Sequence, residues 1–222
     1  FEPESIAVFG ASDRVDSVGQ VLFNNLIQTG FGGRLFPINP KHETVQGQET
    51  FKSLHDVPGR VDLAIICTPA MSVPGIIEQC GERGVRFALI VSSGFAERGH
   101  AGAALERKVL EIARSYSVRI LGPNSLGIMR PPSKLNATFT QERAHEDKMA
   151  LVSQSGAICS AILDWALPNK VGFSSVVSLG RSSDIDFGEI LDYLVHDPRT
   201  YYILLYIEGI QNARLFLSAL RS

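Results

Sequence analysis

Short apolar runs alternate with longer stretches of helical period along the whole chain. "SIAVF" (5–9) is β-branched and aromatic and predicts a strand; "GQVLFNNLIQTG" then sets Val21, Leu22, Leu26 and Ile27 on one helical face before Gly30. "RLFPIN" (34–39), "VDLAIIC" (61–67), "FALIVSS" (87–93) and "VRIL" (118–121) predict four more strands. Between them, "SVPGIIEQCGERG" predicts a helix with Pro74 in its first turn, where a missing N–H costs little. "AALERKVLEIARSYS" predicts a long amphipathic helix.

This alternation implies parallel strands covered by helices on both faces, and right-handed crossovers make the product a doubly wound, Rossmann-like α/β sheet. A second α/β unit follows: strand "MALVS", helix "GAICSAILDWAL", strand "FSSVVSL", helix "IDFGEILDYLVHD", strand "YYILLYI" and a last helix. Between the units, "RPPSKLNATFTQERAHEDK" has two prolines, polar residues and no period, and reads as a linker or crossover loop. The expected organisation is 1–129 for the first domain, 130–147 for the linker and 148–222 for the second domain. Three strands do not complete a sheet of this kind. The chain also starts at Phe1 and stops within a helical pattern, so both ends read as cuts and the second domain as truncated.

Ligands of doubly wound sheets bind outside the carboxyl ends of the strands, so the loops there are where chemistry is expected. The first, "FGASDRVDSVG", has Gly10 at the tight turn and Gly19 opening the helix, but departs from G-x-G-x-x-G at Ala11, Ser12 and Val15. Its backbone N–H groups could hold a phosphate, and an ordinary capped turn fits it equally well. The second strand ends in Asn39-Pro40-Lys41, where a nicotinamide dinucleotide domain places an acid for the ribose. That argues against NAD; Lys41 suits an anionic group such as a ribose phosphate, or is a solvated surface lysine. "CTPA" (67–70) and "SSGF" (92–95) put small residues where an extended ligand must lie close to the backbone, and "LGPNSLG" (121–127) holds Asn124 in a stiff turn. Five such loops on one edge favour a ligand cleft.

In the second unit, Ser153, Gln154, Ser155 and Gly156 stand at a helix start, where free N–H groups and the helix dipole favour an anion. Ser153 or Ser155 fits a plain N-cap as well. Glu208 closes an apolar strand at a carboxyl edge, placed to orient a histidine or a cation. His100, in "GHAGA" (99–103), sits between glycines, but it follows the fourth strand of the first domain.

Composition narrows the classes. A formal net charge of −2 with scattered basic residues offers no track for a nucleic acid. The three cysteines, Cys67, Cys80 and Cys159, are an odd number in apolar surroundings, and neither a zinc site nor a disulfide framework is expected. They read as buried free thiols of a reducing compartment. No metal ligand set, signal peptide or membrane span is evident, and a cytoplasmic location is expected.

With "SIAVFGAS", "FPINPK", "ICTPA", "ILGPNSLG", "LVSQSGA", "DIDFGEILDYL" and "ILLYIEGI" in order, the chain resembles the nucleoside-diphosphate-forming acyl-CoA synthetases of the succinyl-CoA synthetase superfamily. "LDWA" and "IEGIQNARLFLSALR" look most like the acetate-CoA ligase alpha type, some of whose large bacterial relatives carry a fused N-acetyltransferase module. The resemblance implies a Rossmann-like domain that binds coenzyme A, followed by part of a flavodoxin-like, succinyl-CoA synthetase-like domain. Gly10, Ala11, Ser12 and Asp13 would line the pyrophosphate region and Lys41 would meet the phosphorylated ribose. Thr68, Pro69, Ser92, Ser93 and Gly94 would run beside the rest of the ligand, with Asn124 on the same edge. The Ser153–Gly156 helix start would stabilise a phosphohistidine whose imidazole Glu208 orients, on the way to an acyl phosphate that the CoA thiol attacks.

The family's reactive histidine lies downstream of the Glu208 strand, so the resemblance assigns His100 no chemistry; it reads as an exposed loop residue beside a helix start. ATP or ADP with magnesium, and the ATP-grasp region or subunit that binds them, belong to other parts of the parent protein. This chain is expected to bind CoA or acyl-CoA without turnover. The alternative is a non-catalytic CoA- or acyl-CoA-sensing module of a protein lysine acetyltransferase, and a less favoured one is an NAD-dependent oxidoreductase. Neither a nucleic acid nor a membrane is an expected partner, and self-association stays open.

Overall fold

The computed structural model describes residues 2–221. The first 121 residues supply β1 (Ser5–Phe9), α1 (Val18–Gln28), β2 (Arg34–Ile38), β3 (Thr44–Val45), β4 (Gln48–Glu49), β5 (Leu63–Ile66), α2 (Val73–Glu82), β6 (Phe87–Ile90), α3 (His100–Ser115) and β7 (Arg119–Leu121). The order β2-β1-β5-β6-β7 is parallel throughout and reverses direction between β1 and β5. The loops after these two strands therefore flank a topological switch point. β3 and β4 form a separate antiparallel hairpin.

The remaining elements are β8 (Gly127–Arg130), β9 (Leu135–Thr138), β10 (His145–Ser153), α4 (Gly156–Ala166), β11 (Gly172–Ser178), α5 (Phe187–Val195), β12 (Tyr202–Tyr206) and α6 (Ala213–Ala219). They build a second five-stranded sheet, β12-β10-β11-β8-β9, in which β10, β11 and β12 are parallel and β8 pairs antiparallel with both β11 and β9. The expected linker is thus corrected. Most of 130–147 is strand and turn: β9 and the start of β10 lie inside it, and β8 reaches into it at Arg130. The alternation Leu135, Ala137, Phe139 against Asn136, Thr138, Thr140 was a period-two signal that the flanking prolines obscured. Asn136 and Thr138 are buried and satisfy one another, the Thr138 hydroxyl donating to Asn136 Oδ1 at 2.6 Å.

Arg130 explains why this segment packs rather than spans. Its side chain is 2 % exposed and donates to both Asp197 oxygens at 2.9 and 3.1 Å. Removing one partner alone strands a buried charge, at a cost of roughly 3–5 kcal/mol. The two sheets also share a core: one apolar cluster runs from Leu22 and Leu26 of α1 through Ile128, Leu135 and Ala137 to Phe187 and Leu194. Asn25 of α1 donates to the carbonyls of Thr138 and Thr140 at 2.9 and 2.7 Å.

α3 begins at His100, three residues before the stretch the sequence pattern predicts. Gly99 turns the chain at φ +83°, and a Cβ on Gly102 would lie 1.8 Å from the Phe95 carbonyl oxygen, so the first turn packs directly on the preceding loop. The cysteines are free. Burial pushes the Cys80 thiol up to about 12 and that of Cys159 up to about 11. Cys67 is only partly buried as a residue, yet burial of its thiol also raises it to about 12. None is poised as a nucleophile. Among the described residues no helix is long and apolar enough to cross a membrane, and no group of three or more potential metal ligands occurs.

Candidate functional site

The loop after β1 turns at Gly10, whose φ of +85° and N–H bond to the Ile38 carbonyl fold it against β2 and β5. A Cβ on Gly19 would fall 1.9 Å from the Gly10 carbonyl oxygen, so the start of α1 sits directly on this turn. Ser17 caps α1, its hydroxyl accepting from Gln20 N–H at 3.3 Å.

Between turn and cap, two side-chain amides from other segments hold consecutive carbonyls. Asn39 Nδ2 donates to Ala11 O at 2.9 Å, and Gln46 Nε2 donates to Ser12 O at 3.1 Å. In a planar trans peptide the N–H points opposite to the C=O. The N–H groups of Ser12 and Asp13 are therefore turned away from these amides, and neither has an acceptor among the described residues. Successive free N–H groups beside a positive-φ glycine are the chemistry of an anion-binding concavity.

The expected residues are placed unevenly. Ala11 is buried and can contribute only backbone. The Asp13 carboxylate accepts the Gln46 N–H at 2.7 Å, so its charge is directed to the β3–β4 hairpin. Lys41 is exposed just beyond β2, its backbone N–H tied to Asn39 Oδ1 at 2.9 Å. Thr68 and Pro69 follow β5, and the Thr68 methyl lies beneath Gly10. Ser92, after β6, donates to the carbonyls of Thr68 and Ile66, which pins these two loops together. Ser93 is exposed, and Gly94 takes φ +111° within reach of Ala70.

Glu97 accepts the N–H groups of Gly94 and Phe95. Burial raises its carboxyl, but the N–H groups of Gly94, Glu97 and Phe95 and the charge of Arg181 outweigh that and hold it below the usual carboxylate value.

A second cavity of about 750 Å³ opens at the carboxyl edge of β10 and β11, lined by Asn124, Gln154, Ser155, Gly156, Arg181 and Glu208 among others. Asn124 thus faces this cavity, although its N–H donates to Ser92 O at 3.0 Å and keeps it attached to the first site. Ser155 caps α4, accepting the Ile158 N–H at 3.3 Å. Ser153 is buried; its hydroxyl exchanges hydrogen bonds with the backbone of Ser155 and its carbonyl accepts the Leu179 N–H at 2.8 Å, so it shapes the turn from inside.

Gln154 is a positioning group rather than an open donor. Its Oε1 accepts the N–H groups of Glu208 and Gly209 at 2.7 and 2.9 Å, and its Nε2 donates to Gly209 O and Ser182 Oγ. The Gly156 and Ala157 N–H groups have no acceptor among the described residues. The exposed Glu208 carboxylate stands on the same cavity. His100, the first residue of α3, is exposed and does not line it.

Sequence reasoning missed four contributors. Gln46 lies in the hairpin, where only the Gln-Gly pair hinted at a turn. Glu97 gave no sign that its carboxylate gathers the N–H groups of its own loop. Glu106, on the polar face of α3, receives Ala96 N–H at 3.0 Å, Arg181 Nε at 3.2 Å and the Ser183 hydroxyl, joining the loop after β6 to the loop after β11. Arg181 donates its backbone N–H to Pro123 O at 3.0 Å and its Nε to Glu106, and its two terminal nitrogens have no hydrogen-bond acceptor among the described residues. Nothing local in the sequence marks these last two.

Residues 4–131 match the CoA binding domain family, and residues 146–222 match the succinyl-CoA ligase-like flavodoxin domain. The chain is 41 % identical over 221 residues to the alpha subunit of acetate–CoA ligase (ADP-forming) I of Pyrococcus furiosus, covering 98 % of this chain and 48 % of that one. It is 39 % identical over 222 residues to 4-hydroxybutyrate–CoA ligase (ADP-forming) of Nitrosopumilus maritimus, covering 99 % of this chain and 32 % of that one. Among solved structures, acetyl-coenzyme A synthetase 1 of Ca. Korarchaeum cryptofilum, in complex with phosphate and ADP, superposes with a TM-score of 0.94 at 38 % identity, over 99 % of this chain and 47 % of that one. The chain therefore spans about half the length of the first relative and about a third of the second.

Proposed function

We propose, because the chain belongs to the family that joins a CoA-binding domain to a succinyl-CoA ligase-like flavodoxin domain, that it is the CoA-binding, alpha-subunit-like portion of an ADP-forming acyl-CoA ligase. The observation that carries this reading is the pair of unpaired N–H groups at Ser12 and Asp13, held outward by amides that bind the adjoining carbonyls. These groups suit a diphosphate, and Lys41, two residues beyond the Asn39 that bonds the Ala11 carbonyl, suits the ribose phosphate that distinguishes CoA from NAD. The Thr68-Pro69 and Ser92–Gly94 loops would carry the extended arm along the same edge. CoA, when bound, supplies the thiol that receives the acyl group.

The cavity of the second domain would hold the anionic partner of that thiol. Free N–H groups at the start of an 11-residue helix and the open guanidinium nitrogens of Arg181 both favour a carboxylate or phosphate. Glu208, its backbone fixed by Gln154, would orient an imidazole supplied from elsewhere in the parent protein, the phosphohistidine route to an acyl phosphate that the family resemblance implies. ATP or ADP with magnesium, and the ATP-grasp region, would likewise lie outside this chain, which on this reading binds CoA without completing turnover.

The test is calorimetric titration of the chain with CoA and, separately, with NAD. Saturable binding of CoA with no heat from NAD is expected. Binding of NAD with no response to CoA would overturn the reading.

A further inference from the structure

Gln46 occupies a conformation that its residue type disfavours. It and Gly47 form the two-residue turn between β3 and β4, with φ of +49° and +77°, the left-handed pair that hairpins normally fill with Asn-Gly or Gly-Gly. Relief of that strain would need only a glycine, which has no Cβ, since the turn itself demands no long side chain. What a glutamine adds here is reach. Its amide crosses to the loop after β1 and donates twice, to Ser12 O at 3.1 Å and to Gln20 O at 2.9 Å, while its own N–H holds Asp13 Oδ1 at 2.7 Å. The neighbouring Val45 is fully buried, so the hairpin is anchored and cannot swing away.

We infer that Gln46 is a positioning residue for the CoA diphosphate: it sets the Ser12–Asp13 peptide plane that presents the Asp13 N–H group, and its backbone N–H draws the Asp13 carboxylate off the anion path. The inference rests on the CoA-binding reading above. A carboxylate beside a diphosphate repels it, so committing Asp13 to the hairpin N–H serves the same end as exposing that donor. Asn39 fixes the Ala11 carbonyl, and Gln46 fixes the next one. Without the second amide the Ser12–Asp13 peptide is free to rotate, and a ligand must order it on binding.

Gln46→Gly separates this role from stability, because glycine relaxes the left-handed turn while deleting the amide. The melting temperature should stay level or rise, while CoA and dephospho-CoA, which both carry the diphosphate, should each bind about tenfold more weakly with their ratio unchanged. Gln46→Leu, which keeps the bulk, should show the same loss of affinity. CoA affinity within twofold of the parent chain in both variants would overturn the inference, as would loss of CoA binding with dephospho-CoA retained, or affinity that falls only in step with melting temperature. Failure of the unaltered chain to bind CoA would instead overturn the functional reading on which the inference stands.

Discussion

Two strand-turn-helix units in this molecule, both of which we propose bind anions, are built by opposite means. After β1 the helix start is pressed onto the turn, and the donors are set by amides reaching in from other segments. After β10 the helix start is self-contained: Ser155 caps it, Ser153 braces the turn from within, and the charge comes from Arg181 on a neighbouring loop. The first site is built by close backbone approach and the second by side chains around a standard cap, so the two should tolerate change very differently.

The widest gap is expected at their glycines. Gly19→Ala forces a Cβ to within 1.9 Å of the Gly10 carbonyl oxygen, whereas Gly156→Ala places one 3.4 Å from Leu126 Cβ, an ordinary contact. The former should lower unfolding free energy by about 3 kcal/mol and weaken CoA by at least about tenfold, the latter should stay within about 0.5 kcal/mol. Urea unfolding and calorimetry on both variants measure this, and equal behaviour would break the contrast. A smaller effect follows from Ser155→Ala, which should cost about 1 kcal/mol through the lost cap. CoA affinity should not change, and a parallel loss of CoA binding would show that the second helix start supports the first site.

The smallest expected effect is a pH dependence. The folded Glu97 carboxyl lies below its ordinary value, so the stability it contributes is complete above the ordinary carboxylate range and is lost as pH falls through the lowered folded value. Acid-side urea melts should therefore decline more steeply for the parent chain than for Glu97→Gln. Superimposable profiles would remove the carboxylate as the anchor of the Gly94 loop.

Much of the fold was legible because its signals are local. Alternating apolar runs located the parallel strands, Pro74 and Gly30 marked helix limits, and the small-residue loops fell at the carboxyl ends of the strands. Residues 130–147 were misjudged because prolines and charged residues in them signal a loop, while their burial depends on partners far along the chain: Arg130 on Asp197, and the β9 edge on Asn25. The site was legible as a set of loops and not as a set of roles. Lys41 and Ser155 stand where the pattern placed them. Gln154 and Ser153 turned out to brace the turn, and Asn124 faces the second cavity.

What the sequence determined by itself was the strand-helix order and where each turn falls, since periodicity, capping and glycine preference act within a few residues. Which backbone donors of each turn are left free was decided only by tertiary structure. The Ala11 carbonyl is held by a side chain 28 residues away and the Ser12 carbonyl by one 34 residues away. Glu106 gathers donors from both domains. A peptide plane can rotate until something distant fixes its oxygen, and no local pattern records that distant partner.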